Sequence, residues 1–119
     1  LEEARRILKK GGIIRLAVPD IKKYIESYNQ IKDADSFVES TYMCVASPRS
    51  LAQRLSIALV GARHHQWMYD GTSLAKLLSK HRFSKVVVLE PGETTIPDAP
   101  SLNLREREEE SVYVEAVKD

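Results

Sequence analysis

His64-His65-Gln66-Trp67-Met68-Tyr69-Asp70 is the densest run of polar and aromatic side chains in the sequence. An imidazole titrates near neutral pH and can take or give a proton, while indole and phenol rings suit the walls of a small-molecule pocket. The chemistry on offer is proton transfer to or from a bound small molecule. In that reading His65 is a general base or an orienting group, and His64, Trp67 and Tyr69 face the substrate. A structural reading runs beside it. Trp67 and Tyr69 can pack the segment against a sheet, and Asp70 can cap the helix that follows. For Trp67 and Asp70 the residue types favour packing and capping; His65 fits both readings equally.

Asp20 is the second candidate. It stands directly after an apolar run that ends in proline, and α/β sheets place their ligands at the carboxyl ends of strands. Its commoner use at such a position is as a helix N-cap, and the two roles are compatible. His64, His65 and Cys44 are metal-ligand types, but adjacent histidines rarely converge on one ion, and no second cysteine or carboxylate completes a known spacing. No metal is expected. The charged run Arg105–Glu110 reads as solvated surface.

The elements that position these residues follow from periodicity. Leu1–Lys9 reads as a helix with Leu1, Ala4 and Leu8 on one face, closed by Gly11 or Gly12. Ile13–Val18 is a β-branched strand, apolar on both faces apart from Arg15, and Pro19 ends it. Ile21, Tyr24, Ile25, Tyr28 and Ile31 keep a helical period behind Asp20. A second helix is expected over Phe37–Val45 and a third after Ser47-Pro48, carrying Leu51, Leu55, Ala58, Leu59 and Ala62. Asp70 opens a helix with Leu74, Leu77 and Leu78 as its buried stripe, followed by a short strand over Val86–Glu90. Residues 93–110 read as a long loop, and "SVYVEAVKD" alternates as a closing strand.

Composition bounds the class. The chain has 119 residues, 43% apolar and 29% charged, with a net charge of +1. Those values fit one globular domain and give no general attraction for nucleic acid or an anionic membrane. Cys44 is the single cysteine, so no internal disulfide forms and a reducing, cytoplasmic setting is the natural one. No apolar run approaches the length of a membrane span.

The order of these elements, with four motifs along it, resembles the C-terminal half of a class I S-adenosylmethionine-dependent methyltransferase, closest to the bacterial type 11-like group. "EEARRILKKGG" is similar to the helix and turn before the fifth strand of that family, and "IIRLAVPD" to the fifth strand and its exit. "HQWMYDGTSLAKLL" resembles the entry to the following helix, and "SVYVEAVK" the closing strand. Two positions depart from the pattern: Lys10 stands where proline is usual, and Arg82 where glycine is usual.

The resemblance implies an α/β, Rossmann-like half-domain spanning residues 1–119. Its three-stranded mixed sheet has the order first–last–middle, with a helical insert over about residues 20–62. It also implies that the cofactor half of the fold lies outside this sequence. Glycines 11, 12, 61, 71 and 92 form no G-x-G turn between strand and helix. The family's cofactor is S-adenosylmethionine, and none is expected to bind this chain alone. Two function classes follow: the substrate-side part of a methyltransferase, or a non-catalytic interaction module derived from one. The expected partner is a second copy through the edge of strand 13–18, or a chain supplying the missing half, with no nucleic acid, membrane or metal.

Overall fold

Ile13–Pro19 (β1), Phe83–Leu89 (β2) and Ser111–Lys118 (β3) form one three-stranded sheet. The computed structural model describes residues 1–41, 50–52 and 67–119. These belong to two units, Leu1–Lys23 with Tyr69–Asp119, and Tyr24–Met68.

In the first unit the sheet order is β1-β3-β2. β3 lies antiparallel to β1, with Arg15 opposite Glu115 and Ala17 opposite Tyr113, and antiparallel to β2, with Phe83 opposite Lys118. The expected order of strands therefore holds, and the expectation of a mixed sheet does not. β1 and β2 point the same way, but β3 separates them, so every hydrogen-bonded pair is antiparallel.

The period-2 pattern of β3 sorts its side chains between two faces. Val112, Val114 and Ala116 join Leu74 and Leu78 of α4 (Gly71–Lys80, defined by its period in the sequence) and Phe83 in a buried cluster. Ile14, Leu16 and Val18 of β1 pack on the same cluster. Burying each such aliphatic side chain stabilises the fold by about 1.5–3 kcal/mol. Gly71 lets α4 come close, since a Cβ there would stand 2.9 Å from Cγ1 of Val88.

Several element ends differ from the sequence reading. The first helix, α1, spans Glu2–Ile7 and stops at Leu8, which is extended. Gly11 does take a left-handed conformation (φ 77°), but it shapes the turn into β1 rather than capping α1; its N–H donates to the Lys118 carbonyl at 2.7 Å. β2 starts at Phe83, three residues early, because a bulge between Ser84 and Val87 absorbs Lys85 at φ 48° and lets pairing continue on both sides. It ends at Leu89 rather than Glu90.

Helix α2 (Ile21–Ile31) starts in the first unit and runs into the second. Within the second unit, α3 spans Ala34–Ser40 rather than starting at Phe37. Asp33 caps it by accepting from the Asp35 N–H at 3.2 Å. The Tyr28 and Phe37 rings meet edge-on at 5.5 Å. The rest of the helix expected over Phe37–Val45 and most of the one after Pro48 lie outside the described residues.

Candidate functional site

The end of β1 is where the sequence places a ligand, and two of its candidates, Asp20 and Tyr69, meet there. Asp20 is buried (9% exposed) and its N–H donates to the Glu110 carbonyl at 2.8 Å, prolonging the ladder. On the other side Asp20 forms a parallel bridge with Tyr69, whose carbonyl accepts from the Ile21 N–H at 3.0 Å. The Asp20 carboxylate accepts from the Lys22 N–H at 3.0 Å, which is the bond of an N-cap to the second helical residue. Capping thus uses Oδ1.

Asp70 follows at the start of α4. Its Oδ1 accepts from the Ser73 N–H at 2.7 Å, while its own N–H donates to Ser73 Oγ at 3.0 Å, a reciprocal capping box. Those bonds from Ser73, backbone first and hydroxyl second, hold the Asp70 carboxyl below its ordinary range, and Lys22 adds to this with Nζ 4.0 Å away. Tyr69 packs against the buried cluster, so its ring serves the core. Trp67 is 70% exposed. His64, His65 and Cys44 lie outside the described residues.

A second constellation, on the opposite face of the sheet, was not singled out from the sequence. Glu115 is fully buried in the middle of β3. Its Oε1 accepts from Arg15 Nη1 at 2.7 Å and from Thr94 Oγ1 at 2.6 Å. Its Oε2 accepts from the Thr95 N–H at 2.6 Å and the Thr95 hydroxyl at 2.5 Å. Burial pushes the Glu115 carboxyl up, but the bonds from Thr94, Thr95 and Arg15 together outweigh it and leave the group below its ordinary value.

Arg15 in turn donates to the Glu93 carbonyl at 2.8 Å and the Leu104 carbonyl at 3.1 Å, and its guanidinium lies 5.0 Å from the Tyr113 ring centre. Tyr113 donates its hydroxyl to the Glu106 carbonyl at 2.8 Å. The loop between β2 and β3 is thereby tied down at five residues, Glu93, Thr94, Thr95, Leu104 and Glu106. The signal in the sequence was one opposite charge mid-strand in each of two apolar strands, legible as a pair only once those strands are neighbours in register.

Arg15 also lines a cavity of about 410 Å³ with Ala17, Ile96, Leu102, Asn103 and Glu106. Both terminal nitrogens of Arg15 already have partners, so this constellation fixes the loop more than it offers chemistry. Among the described residues no group of three or more His, Cys, Asp or Glu side chains could hold a metal ion, and no helix is long and apolar enough to cross a membrane.

The end of β1 supplies a buried carboxylate and a tyrosine backbone at a fixed position. That arrangement can orient a small polar molecule. No family model, curated protein or solved structure matches the chain.

Proposed function

We propose that the chain is the substrate-side C-terminal part of a cytoplasmic S-adenosylmethionine-dependent methyltransferase. The observation that carries this reading is topological: the last strand is inserted antiparallel between the two before it, with Asp20 and Tyr69 joined at the exit of β1. The four motifs along the sequence support it in the same order. In this reading Asp20, His64, Trp67 and Tyr69 bound the acceptor, and His65 orients its nucleophile and takes the proton that it loses.

The residues present do not fit the cofactor itself. At both helix N-termini beside the sheet a carboxylate already accepts from a backbone N–H, Asp20 from Lys22 at α2 and Asp70 from Ser73 at α4, which disfavours a second anionic group there. No glycine-rich turn follows a described strand. We derive no step through the cofactor on this chain.

Titration calorimetry tests the reading in two steps. The chain alone should show no saturable binding of S-adenosylmethionine tighter than about 100 μM, roughly 5.5 kcal/mol. Supplied with a polypeptide carrying the cofactor-binding strands of such a fold, it should bind the cofactor and methylate an acceptor. Tight binding by the chain alone would overturn the first step; a complemented chain without transferase activity would overturn the second.

One observation favours a second reading, a dimerisation module. Among the described residues β1 has no ladder partner on its outer side beyond the Asp20–Tyr69 bridge, and it carries no lysine or internal proline to blunt that edge. A second copy pairing along Ile13–Val18 across a twofold axis would satisfy it. Sedimentation equilibrium should then give twice 13.5 kDa; a monomer up to about 100 μM would rule this dimer out.

A further inference from the structure

The far end of the sheet carries a different surface. Beyond the first residues of β1 and β2, a groove of about 610 Å³ is lined by Glu2, Arg5 and Arg6 of α1 and by Lys80, His81 and Arg82 at the end of α4. Arg6 is neutralised by Glu3 at 2.5 Å. Arg5 donates Nε to the Arg82 carbonyl at 3.3 Å, which leaves its two terminal nitrogens for another acceptor. Lys80 and Arg82 have no carboxylate partner among the described residues. Three uncompensated cations and an imidazole therefore face one carboxylate, Glu2.

Cations near helix C-termini are common, because the carbonyl end of the dipole favours them. That accounts for Arg5, Arg6 and Lys80. It does not account for Arg82, which follows the helix at φ 61°, a conformation suited to glycine. The fold gains nothing from an arginine side chain there, since the side chain is exposed and makes no described bond. Arg82 thus adds an exposed guanidinium, without a carboxylate partner among the described residues, to a groove already rich in cations.

We propose that this groove is a binding site for the diphosphate group of a small molecule. Guanidinium forks pair with phosphoryl oxygens through two parallel bonds, and a lysine adds a point charge. Two arginines on separate elements, with Lys80 and His81 between, suit two linked phosphoryl groups better than one. The volume falls within the range of small-ligand sites. The groove lies at the opposite end of β1 from Asp20, so the inference does not rest on the methyltransferase reading.

Calorimetry at low ionic strength with inorganic pyrophosphate, and separately with ADP, tests it. One saturable site with a dissociation constant below about 1 mM is expected. Equal affinity for the two probes means that the diphosphate alone is recognised, and tighter ADP binding means that a nucleoside is read as well; both support the site. Arg82→Gly should weaken binding at least about tenfold while raising the thermal midpoint, a split that a merely structural arginine would not produce. Lys80→Gln should weaken binding while lowering the midpoint only slightly, by the loss of one cation at the helix C-terminus. Absence of saturable heat, or unchanged affinity in both variants, overturns the proposal. A short DNA duplex that binds more tightly than pyrophosphate and loses affinity in the same variants also overturns it, in favour of a nucleic-acid backbone surface.

Discussion

One face of the sheet turns Val112, Val114 and Ala116 toward Leu74 and Leu78; the other turns Arg15, Tyr113 and Glu115 toward the long loop before β3. The first face is held by many small apolar contacts, each replaceable in part. The second depends on one buried carboxylate that ties together an arginine from β1 and two threonines from the loop. Apolar packing degrades in proportion to the atoms removed. A buried charge behaves otherwise, since removing its partner leaves the full desolvation penalty standing. The polar face also sets register: slipping β1 by one residue would drive Arg15 into the cluster of Leu74 and Leu78.

The largest effect should therefore come from breaking the polar face. Arg15→Ala, which leaves Glu115 buried without its cation, should cost about 3–5 kcal/mol in urea unfolding. Leu78→Ala, at a fully buried position on the other face, should cost about 3 kcal/mol. Equal or inverted values would mean that the loop-side pair is relieved by solvent and that the contrast between the faces is wrong.

Acid should also separate the faces. Glu115 and Asp70 both titrate below their ordinary values in the folded chain. A carboxyl whose folded pKa is lowered binds fewer protons folded than unfolded. Its stabilisation is therefore complete above the unfolded value near 4 and lost as pH falls through the folded one. Stability should be flat above about pH 5 and fall below about pH 4. In Glu115→Gln that acid slope should shrink, leaving the share due to Asp70, Asp33 and Glu3, whose carboxyls are also held below their ordinary values, whereas in Leu78→Ala it should persist unchanged. An unaltered slope in Glu115→Gln would remove Glu115 from the acid response.

Much of this arrangement was legible in the residues. The β-branched runs around Val18, Val87 and Val114 announce strands, and Asp70 with its downstream leucines announces a capped helix, because these signals are local. Arg15 and Glu115 were each visible as an exception, but their pairing depends on a register spanning 100 residues, which no local pattern carries. The start of β2 was missed for the same reason: only pairing with Lys118 and Val117 makes Phe83 and Ser84 strand, since the bulge at Lys85 breaks the alternation. At the candidate site, Asp20 and Tyr69 were legible because both flank element ends. Their bridge was not, since it is a tertiary contact.

Asp70→Ala gives a smaller effect, confined to the entry of α4. Removing the Ser73 bonds should lower the thermal midpoint by about 3–6 °C, and Asp70→Asn, which keeps an acceptor, should recover most of it. No change in Asp70→Ala would shift the cap to another residue, Thr72 being the nearest.

The smallest effect should be a gain. Arg82 belongs to neither face; it links α4 to β2 with its backbone left-handed. An L side chain there is crowded by its own carbonyl, and glycine is not. Glycine also gives the unfolded chain more freedom, which offsets part of the relief. The balance for Arg82→Gly should be a stabilisation of roughly 0.5–1 kcal/mol. The bond from Arg5 Nε survives the change because its acceptor is the backbone carbonyl of residue 82. With both faces intact, the gain should add to the loss in Arg15→Ala or Leu78→Ala without coupling, as expected for sites that share no partner. Differential scanning calorimetry of the double variants reads this directly. A loss of stability in Arg82→Gly would show that the arginine side chain supports the turn, and strong coupling to Arg15→Ala would show that the junction and the polar face act as one unit.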